Sequence, residues 1–282
     1  MKRGYLTFAQ NNQSTNYLEL AYLQALSIKA TQSINSYSVI VDHETHSQIE
    51  DRHRRVFDLI IVLEQDYAVD QSWKLSNEWQ AGIHSPYDHT VKLESDIIFT
   101  SNIDSWWDIM AARDLCFTVS VKNYRGQTSA ARDYRKLFDD NNLPNVYNGF
   151  YFFKKSEFTD QFFHIAELIF KNWNQVKSFL KNCNDNTPTT DVVFAIAAKL
   201  VGEENCFLPS IEVPCFTHMK GAINDWDANQ DWREMVYHQF DGTNLTVGFT
   251  RQRVPFHYYQ KDFASPELIK YYESILHKKT KV

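Results

Sequence analysis

Apolar and polar positions follow two different periods along the first hundred residues, and the switches between them mark the elements. The stretch "GYLTFAQ" (4–10) has strand character, and apolar positions recur at helical spacing from about Asn16 to Lys29, predicting an amphipathic helix. The alternation continues with "SYSVIVD" (36–42), a charged helix near 44–55, "FDLIIVL" (57–63), the helical "SWKLSNEWQAGIH" (72–84) and "VKLESDIIF" (91–99). Four strands separated by helices predict an α/β architecture, a mostly parallel sheet flanked by helices on both faces. Ligands on such sheets collect at the carboxyl ends of the strands, where Asp42, Glu94 and Asp96 fall.

Beyond residue 100 the pattern is more mixed. "DLCFTVSV" (114–121) and "YNGFYFF" (147–153) read as strands on either side of a basic, polar stretch, and helical runs follow at about 156–181 and 191–201. The C-terminal stretch is rich in Trp and Tyr with few clean periods. There are no repeats, no low-complexity linker and no convincing domain boundary, so a single domain is expected.

Two carboxylates interrupt the apolar run "VKLESDIIF". A charge in mid-strand costs several kcal/mol unless it is solvated, paired or bound to a cation. Residues i and i+2 on a strand point the same way, so Glu94 and Asp96 at a strand end could share one divalent cation of the kind a diphosphate needs. Two acids on an edge strand also serve as plain surface charge, and the pair alone does not choose.

Composition narrows the classes. With 282 residues, 43% of them hydrophobic and 23% charged, the chain suits one large globular domain with at most a modest extension. A net charge of -6 argues against a general nucleic-acid binder. Any DNA contact has to come from a local basic face, for which "KNYRGQTSAARDYRKLF" offers Lys122, Arg125, Arg132, Arg135 and Lys136, and "TRQRVPFHYYQK" offers Arg251, Arg253 and Lys261 among aromatics. Cys116, Cys183, Cys206 and Cys215 lack C-x-x-C spacing and are expected as reduced thiols rather than zinc ligands. "MKRGYLTFAQ" carries no signal-peptide pattern, and no window approaches the ~18 apolar residues of a membrane span. A soluble, cytoplasmic protein is expected.

The segment "SPYDHTVKLESDII" resembles the "Y-D-x-V-x-x-L-D-x-D" segment of nucleotide-sugar glycosyltransferases with the GT-A fold, especially the glycogenin-like family 8 enzymes. Tyr87, Asp88, Val91, Leu93, Glu94 and Asp96 match, with Glu in place of the usual first Asp. The resemblance implies that Glu94 and Asp96 bind Mn2+ or Mg2+ together with the donor's diphosphate. "SWKLSNEW" is similar to the family's Lys-Leu pair, which would put Lys74 near the donor phosphates or sugar. "VYNGFYFF" resembles "F-N-x-G-V", implying Asn148 and Gly149 in the sugar pocket, and "TPTTDVVFAIAA" resembles "x-D-Q", implying Asp191 close to the sugar's reacting carbon.

"FTHMKGAINDW" is similar to "H-x-x-G-x-x-K-P-W", whose His completes the metal site and whose Lys binds phosphate. His218, Gly221 and Trp226 keep the spacing, whereas Asn224 and Asp225 replace Lys and Pro, leaving Lys220 as the substitute for the phosphate lysine. The opening "YLTFAQNNQSTNYLELAYLQALSIKATQSINSYSVIVD" looks like bacteriophage-encoded glycosyltransferases of this fold. In the wider fold the first strand's end cradles the base and ribose, which implicates Thr7, Ala9 and Tyr17, with Asp42 accepting a hydrogen bond from the base. The matches cover roughly residues 5 to 226. They imply a GT-A core over 1–226, with a nucleotide-sugar half at about 1–100 and an acceptor half at about 101–226, and an aromatic-rich extension at 227–282 packed on that core.

The expected activity is metal-dependent transfer of a hexose from a UDP-sugar to an acceptor hydroxyl, with Asp191 as base, nucleophile or electrostatic stabiliser. Family 8 resemblance favours retention. Phage resemblance implies hydroxymethylcytosine or its glucosylated form in phage DNA as acceptor, contacted by Lys122, Arg125, Arg132, Arg135, Arg251 and Arg253, in the host cytoplasm. A protein, glycan or lipid-linked acceptor is the alternative. A metal-dependent nuclease, or a sugar-binding module without catalysis, are competing classes. A nucleotidylyltransferase is disfavoured because "FAQNNQSTN" has no glycine for a phosphate loop.

Overall fold

A computed structural model describes residues 1–69, 71, 74–241 and 244–279. In chain order its strands are β1 (Arg3–Phe8), β2 (Tyr37–Val41), β3 (Leu59–Val62), β4 (His89–Leu93), β5 (Ile97–Ile98), β6 (Leu115–Thr118), β7 (Tyr147–Lys154), β8 (Thr217–His218), β9 (His238–Phe240), β10 (Leu245–Val247), β11 (Thr250–Arg251) and β12 (Phe256–His257). Six of them form the central sheet in the order β3-β2-β1-β4-β7-β6. Strands β1 to β4 run parallel, and β7 runs antiparallel to both β4 and β6. The result is the expected α/β architecture, a mixed, mostly parallel sheet with helices on both faces.

The strand β7 shows why its sequence reads as one apolar run. Phe150 and Phe152 enter the core on the face covered by the helix Tyr17–Thr31, while Tyr151 and Phe153 enter the core under the helices Glu157–Lys171 and Thr190–Val201. Both faces are buried, so alternation disappears.

The helix Tyr17–Thr31, expected to be amphipathic, is instead enclosed, with Leu18 and every residue from Leu20 to Ile28 buried. The C-terminal helix Pro266–Lys279 covers its outer side, contributing Leu268, Ile269 and Tyr272 to the same core. There Tyr22 Oη donates to Glu273 at 2.8 Å. Other helical expectations break into pieces. The charged helix near 44–55 is two short helices, His43–His46 and Asp51–Val56, and the stretch 72–84 is a 3-10 turn Leu75–Gln80 followed by Ala81–His84. Its first residues, Ser72 and Trp73, lie outside the described residues. The run 156–181 ends its long helix at Lys171, with short turns after it.

The stretch "VKLESDIIF" is not one continuous strand. β4 ends at Leu93, and the chain crosses to β5 in a second, three-stranded sheet ordered β5-β12-β8. Glu94 and Asp96 therefore lie in the crossing, where no strand neighbour satisfies every backbone group. A side chain from the enclosed helix fills the gap. Gln24 Nε2 donates to the carbonyls of Glu94 (2.6 Å) and Ile97 (2.9 Å), its Oε1 accepts from Tyr37 Oη (2.9 Å), and Ser27 Oγ accepts from the Phe99 N–H (3.1 Å). The Glu94 N–H donates to the Gly149 carbonyl at 2.9 Å.

Two motif positions upstream serve the sheet itself. Tyr87 is buried with its hydroxyl 2.7 Å from Ser38 Oγ, and Asp88 accepts from the Lys2 N–H at 2.7 Å. The four cysteines are free thiols. Among the described residues no helix is long and apolar enough to cross a membrane.

Gly4 lies directly against Tyr87, where an added Cβ would fall 2.3 Å from the ring. Gly4→Ala is expected to destabilise the protein by about 1–3 kcal/mol through overpacking, read as a lower urea midpoint with an unchanged slope. An unchanged midpoint would contradict that packing.

Candidate active site

Beyond the carboxyl ends of β1 and β4 opens a cleft of about 280 Å3. Its walls come from every part of the chain: Phe8 and Gln10 after β1, Tyr17 at a helix start, Lys74 and Glu78, the crossing Leu93–Asp96, Tyr147–Gly149 on β7, and Asp191 at the start of the helix Thr190–Val201. Phe216, His218 and Lys220 around β8, and His257, Tyr259 and Lys261 around β12, close it.

At its centre, among the described residues, Glu94, Asp96 and His257 each offer a ligand atom within 4.8 Å of the others. His257 Nε2 lies 2.8 Å from Glu94 Oε2 and 3.4 Å from Asp96 Oδ1, and Lys261 forms an ion pair with Asp96. Burial raises the Glu94 carboxyl's pKa, but the hydrogen bond and charge of His257, with Lys92 and Lys261, outweigh it and hold the group well below the usual carboxylate range.

His218, expected to be the metal histidine, stands beside His257 with ring centroids 4.3 Å apart. β12 runs parallel to β8 with His257 opposite His218, and antiparallel to β5 with His257 opposite Ile97, so the register places His257 against the acids and His218 beside it. Burial, then the charge of His257, pushes the His218 pKa well below its ordinary value and keeps the ring neutral. The Nδ1 atoms of both rings are buried without a hydrogen-bond partner.

On the opposite wall Asp191 is held by two donors, the Asn148 N–H at 2.8 Å and Arg135 Nη1 at 2.5 Å, and its side chain keeps 27% exposure toward the cleft. Arg135, expected at a DNA surface, is 4% exposed. Its guanidinium sits between the rings of Phe138 (3.8 Å) and Tyr147 (4.3 Å), which removes it from any surface and makes it the partner of Asp191. Gly149 is required by closeness, since a Cβ there would lie 2.9 Å from the Phe216 ring and 3.3 Å from Glu94 Oε2. Below these, fully buried Lys92 pairs with Glu78 and reaches Asn148 Oδ1 at 3.5 Å, and burial leaves the Glu78 pKa raised despite that lysine.

Toward β1 the parity of the strand matters. Thr7 and Ala9 point into the protein, Thr7 Oγ1 donating to the Leu93 carbonyl at 2.6 Å, and it is Phe8 and Gln10 that line the cleft. Asp42 is buried as the cap of the helix His43–His46, accepting from the Thr45 N–H at 2.8 Å and from Gln10 Nε2 at 3.3 Å. Tyr17 lines the cleft as expected.

Lys74 lines the cleft in a left-handed backbone conformation (φ 51°), with Nζ donating to the Val69 carbonyl at 2.9 Å. Lys220 faces it with Nζ 4.7 Å from the Tyr134 ring centroid, its pKa lowered by burial. Gly221 does not line the cleft; a Cβ there would meet the Asp227 carbonyl oxygen at 2.7 Å. Asn224, at the position of the missing lysine, ties the loop together by donating to the carbonyls of His218 and Lys220 and accepting from the Tyr124 N–H, each at 2.9 Å.

Of the remaining basic residues, Lys122 pairs with Glu212 at 2.7 Å and Arg132 with Asp139, while Arg125, Arg251 and Arg253 are exposed. His257, Lys261, Lys92 with Glu78, and the role of Arg135 were not anticipated as parts of the site. The one available signal was the "HYYQK" stretch, where a His and a Lys four residues apart follow a short apolar pair.

No protein-family model matches the chain, and no curated protein matches it. Among solved structures the whole chain is similar to the glycosyltransferase GlyE of Streptococcus pneumoniae TIGR4, with a TM-score of 0.55 and 13% sequence identity. The chain spans 64% of the length of that structure. The galactosyltransferase LgtC, solved with donor and acceptor sugar analogues, gives a TM-score of 0.46 at 12% identity over 68% of this chain and 70% of its own. Mouse xyloside xylosyltransferase 1 gives 0.41 at 10% identity over 74% of this chain and 84% of its own. The last two fall below the level at which likeness carries weight, and the first establishes the GT-A fold.

The geometry makes Gln24 the support of the acidic crossing. Gln24→Ala, which strands two buried carbonyls, is expected to lower stability by about 1–3 kcal/mol and to weaken Mn2+ binding measured by calorimetry. Loss of stability with undiminished Mn2+ affinity would show that the crossing does not depend on this side chain.

Proposed function

We propose that the chain is a metal-dependent glycosyltransferase that moves a hexose from a UDP-sugar to an acceptor hydroxyl. The observation that carries this is the convergence of Glu94, Asp96 and His257 within 4.8 Å at the carboxyl edge of a GT-A sheet. The donor set fits a divalent ion such as Mn2+ or Mg2+: two carboxylates and an imidazole, with the neutral His218 ring beside them to join the set. Such an ion supplies positive charge against the diphosphate that departs from the sugar.

The chain's own residues do the rest. Asp191, oriented by the Asn148 N–H and by Arg135, presents a fixed carboxylate to the positive charge that develops at the anomeric carbon. Asn148 and Gly149 shape the sugar pocket, where the absence of a side chain at 149 leaves room beside Glu94. Tyr17 and Gln10 face the nucleotide, and Lys74 and Lys220 add positive charge along the walls. The family 8 resemblance supports retention of configuration. For the acceptor we propose hydroxymethylcytosine or its glucosylated form in DNA. Exposed Arg125, Arg251 and Arg253 support this reading together with fully exposed Phe249, as cations and an aromatic suited to phosphates and bases.

The test is UDP release from a panel of UDP-sugars, with and without Mn2+, in the presence of unmodified, hydroxymethylated or glucosylated DNA. Release is expected to need metal, to rise with modified DNA, and to fall by about a hundredfold or more in Asp96→Asn. Release indifferent to DNA would discard that acceptor. No release with any sugar, or DNA cleavage without sugar nucleotide, would overturn the glycosyltransferase reading.

A further inference from the structure

We infer that Lys261 is the lysine that binds the donor's diphosphate, held in this structure on a carboxylate of the metal cluster; the inference rests on the glycosyltransferase reading. Lys261 Nζ ion-pairs with Asp96, one of the three residues whose ligand atoms converge. The two partners are not equally placed. The Asp96 side chain is 3% exposed whereas that of Lys261 is 34% exposed, so the lysine reaches in from the cleft and can withdraw into it while the carboxylate stays.

The base of this arm is fixed. The Trp232 indole N–H donates to the Tyr258 carbonyl at 2.7 Å, and the Tyr258 N–H donates to the Asp96 carbonyl at 3.2 Å. Tyr259 then takes a left-handed conformation (φ 62°), unusual for a bulky residue, and Lys261 opens the 3-10 turn that follows. A left-handed tyrosine two residues before a cleft-facing lysine is a local conflict of the kind functional sites retain. From this anchor the ammonium lies 5.8 Å from the ring centroid of Tyr17, on the nucleotide side of the cleft.

The other lysines of the cleft are engaged elsewhere. Lys74 donates to the Val69 carbonyl, Lys220 lies over Tyr134, and Asn224 occupies the position where the resemblance led one to expect a phosphate lysine. An ammonium on Asp96 and a divalent cation on the same carboxylate repel each other, so an ion entering the cluster displaces Lys261. The diphosphate that accompanies the ion is then the strongest anion within the arm's reach.

Opposite changes in two affinities follow. In Lys261→Met, which keeps the apolar stem, Mn2+ alone is expected to bind about five- to tenfold more tightly, measured by electron paramagnetic resonance, because the competing charge is gone. In saturating Mn2+ the same variant is expected to bind UDP about tenfold more weakly by calorimetry, with uridine changed by less than about twofold. Lys261→Arg should keep the wild-type order of affinities, and Lys220→Met should not tighten Mn2+. Unchanged or weaker Mn2+ binding in Lys261→Met, or equal losses for UDP and uridine, would overturn the assignment. Wild-type protein that binds Mn2+ but no UDP would overturn the glycosyltransferase reading together with this inference, whereas wild type that binds both with an indifferent Lys261→Met would overturn the inference alone.

Discussion

Two carboxylates just beyond the end of β4, Asp96 buried and Glu94 open to the cleft, have to be held close together, and much of the structure is arranged around that requirement. Like charges in a low-dielectric setting drive each other apart or take up protons unless positive groups face them. Here His257 faces Glu94 and approaches Asp96, Lys261 pairs with Asp96, and Lys92 lies below. The backbone that carries the acids is pinned by Gln24 from a helix that the C-terminal helix encloses. The last segment of the chain is thus part of the site's construction, since β12 lies between β5 and β8 and brings His257 with it.

The same logic explains the second wall. Asp191, at a helix start, is oriented by two donors, Arg135 and the Asn148 N–H. Arg135 is in turn held between aromatic rings, so its direction is set by packing rather than by charge alone. Two acidic centres, each with its own cationic partner, face one cleft. That division suits the proposed transfer, in which negative charge would grow on a leaving diphosphate and positive charge on a sugar.

The central sheet was legible because its strands are long enough to show a period and are separated by helices. β5, β8 and β12 are two residues each, too short for any pattern, and they are the strands that bring the histidines to the acids. His257 in "VPFHYYQK" has no ligand spacing to betray it; only the register against Ile97 and His218 places it. Around β1 a shift of one residue separated the expected Thr7 and Ala9 from the cleft-lining Phe8 and Gln10, because neighbouring residues on a strand face opposite ways. Arg135 looked like a surface charge because it stands in a basic, polar stretch, and packing between Phe138 and Tyr147 buries it. Glu94 and Asp96 were found because acids in an apolar run are costly, which is a signal that sequence carries directly.

The central claim is that Glu94, Asp96 and His257 form one divalent-cation site. Crystals grown with Mn2+ and UDP, measured at a wavelength where manganese scatters anomalously, test it most directly. A single strong anomalous peak about 2.0–2.3 Å from carboxylate oxygens of Glu94 and Asp96 and from a ring nitrogen of His257, with Lys261 moved off Asp96, is the predicted result. A peak bound by other residues, or none at saturating Mn2+ with Lys261 still on Asp96, would contradict it.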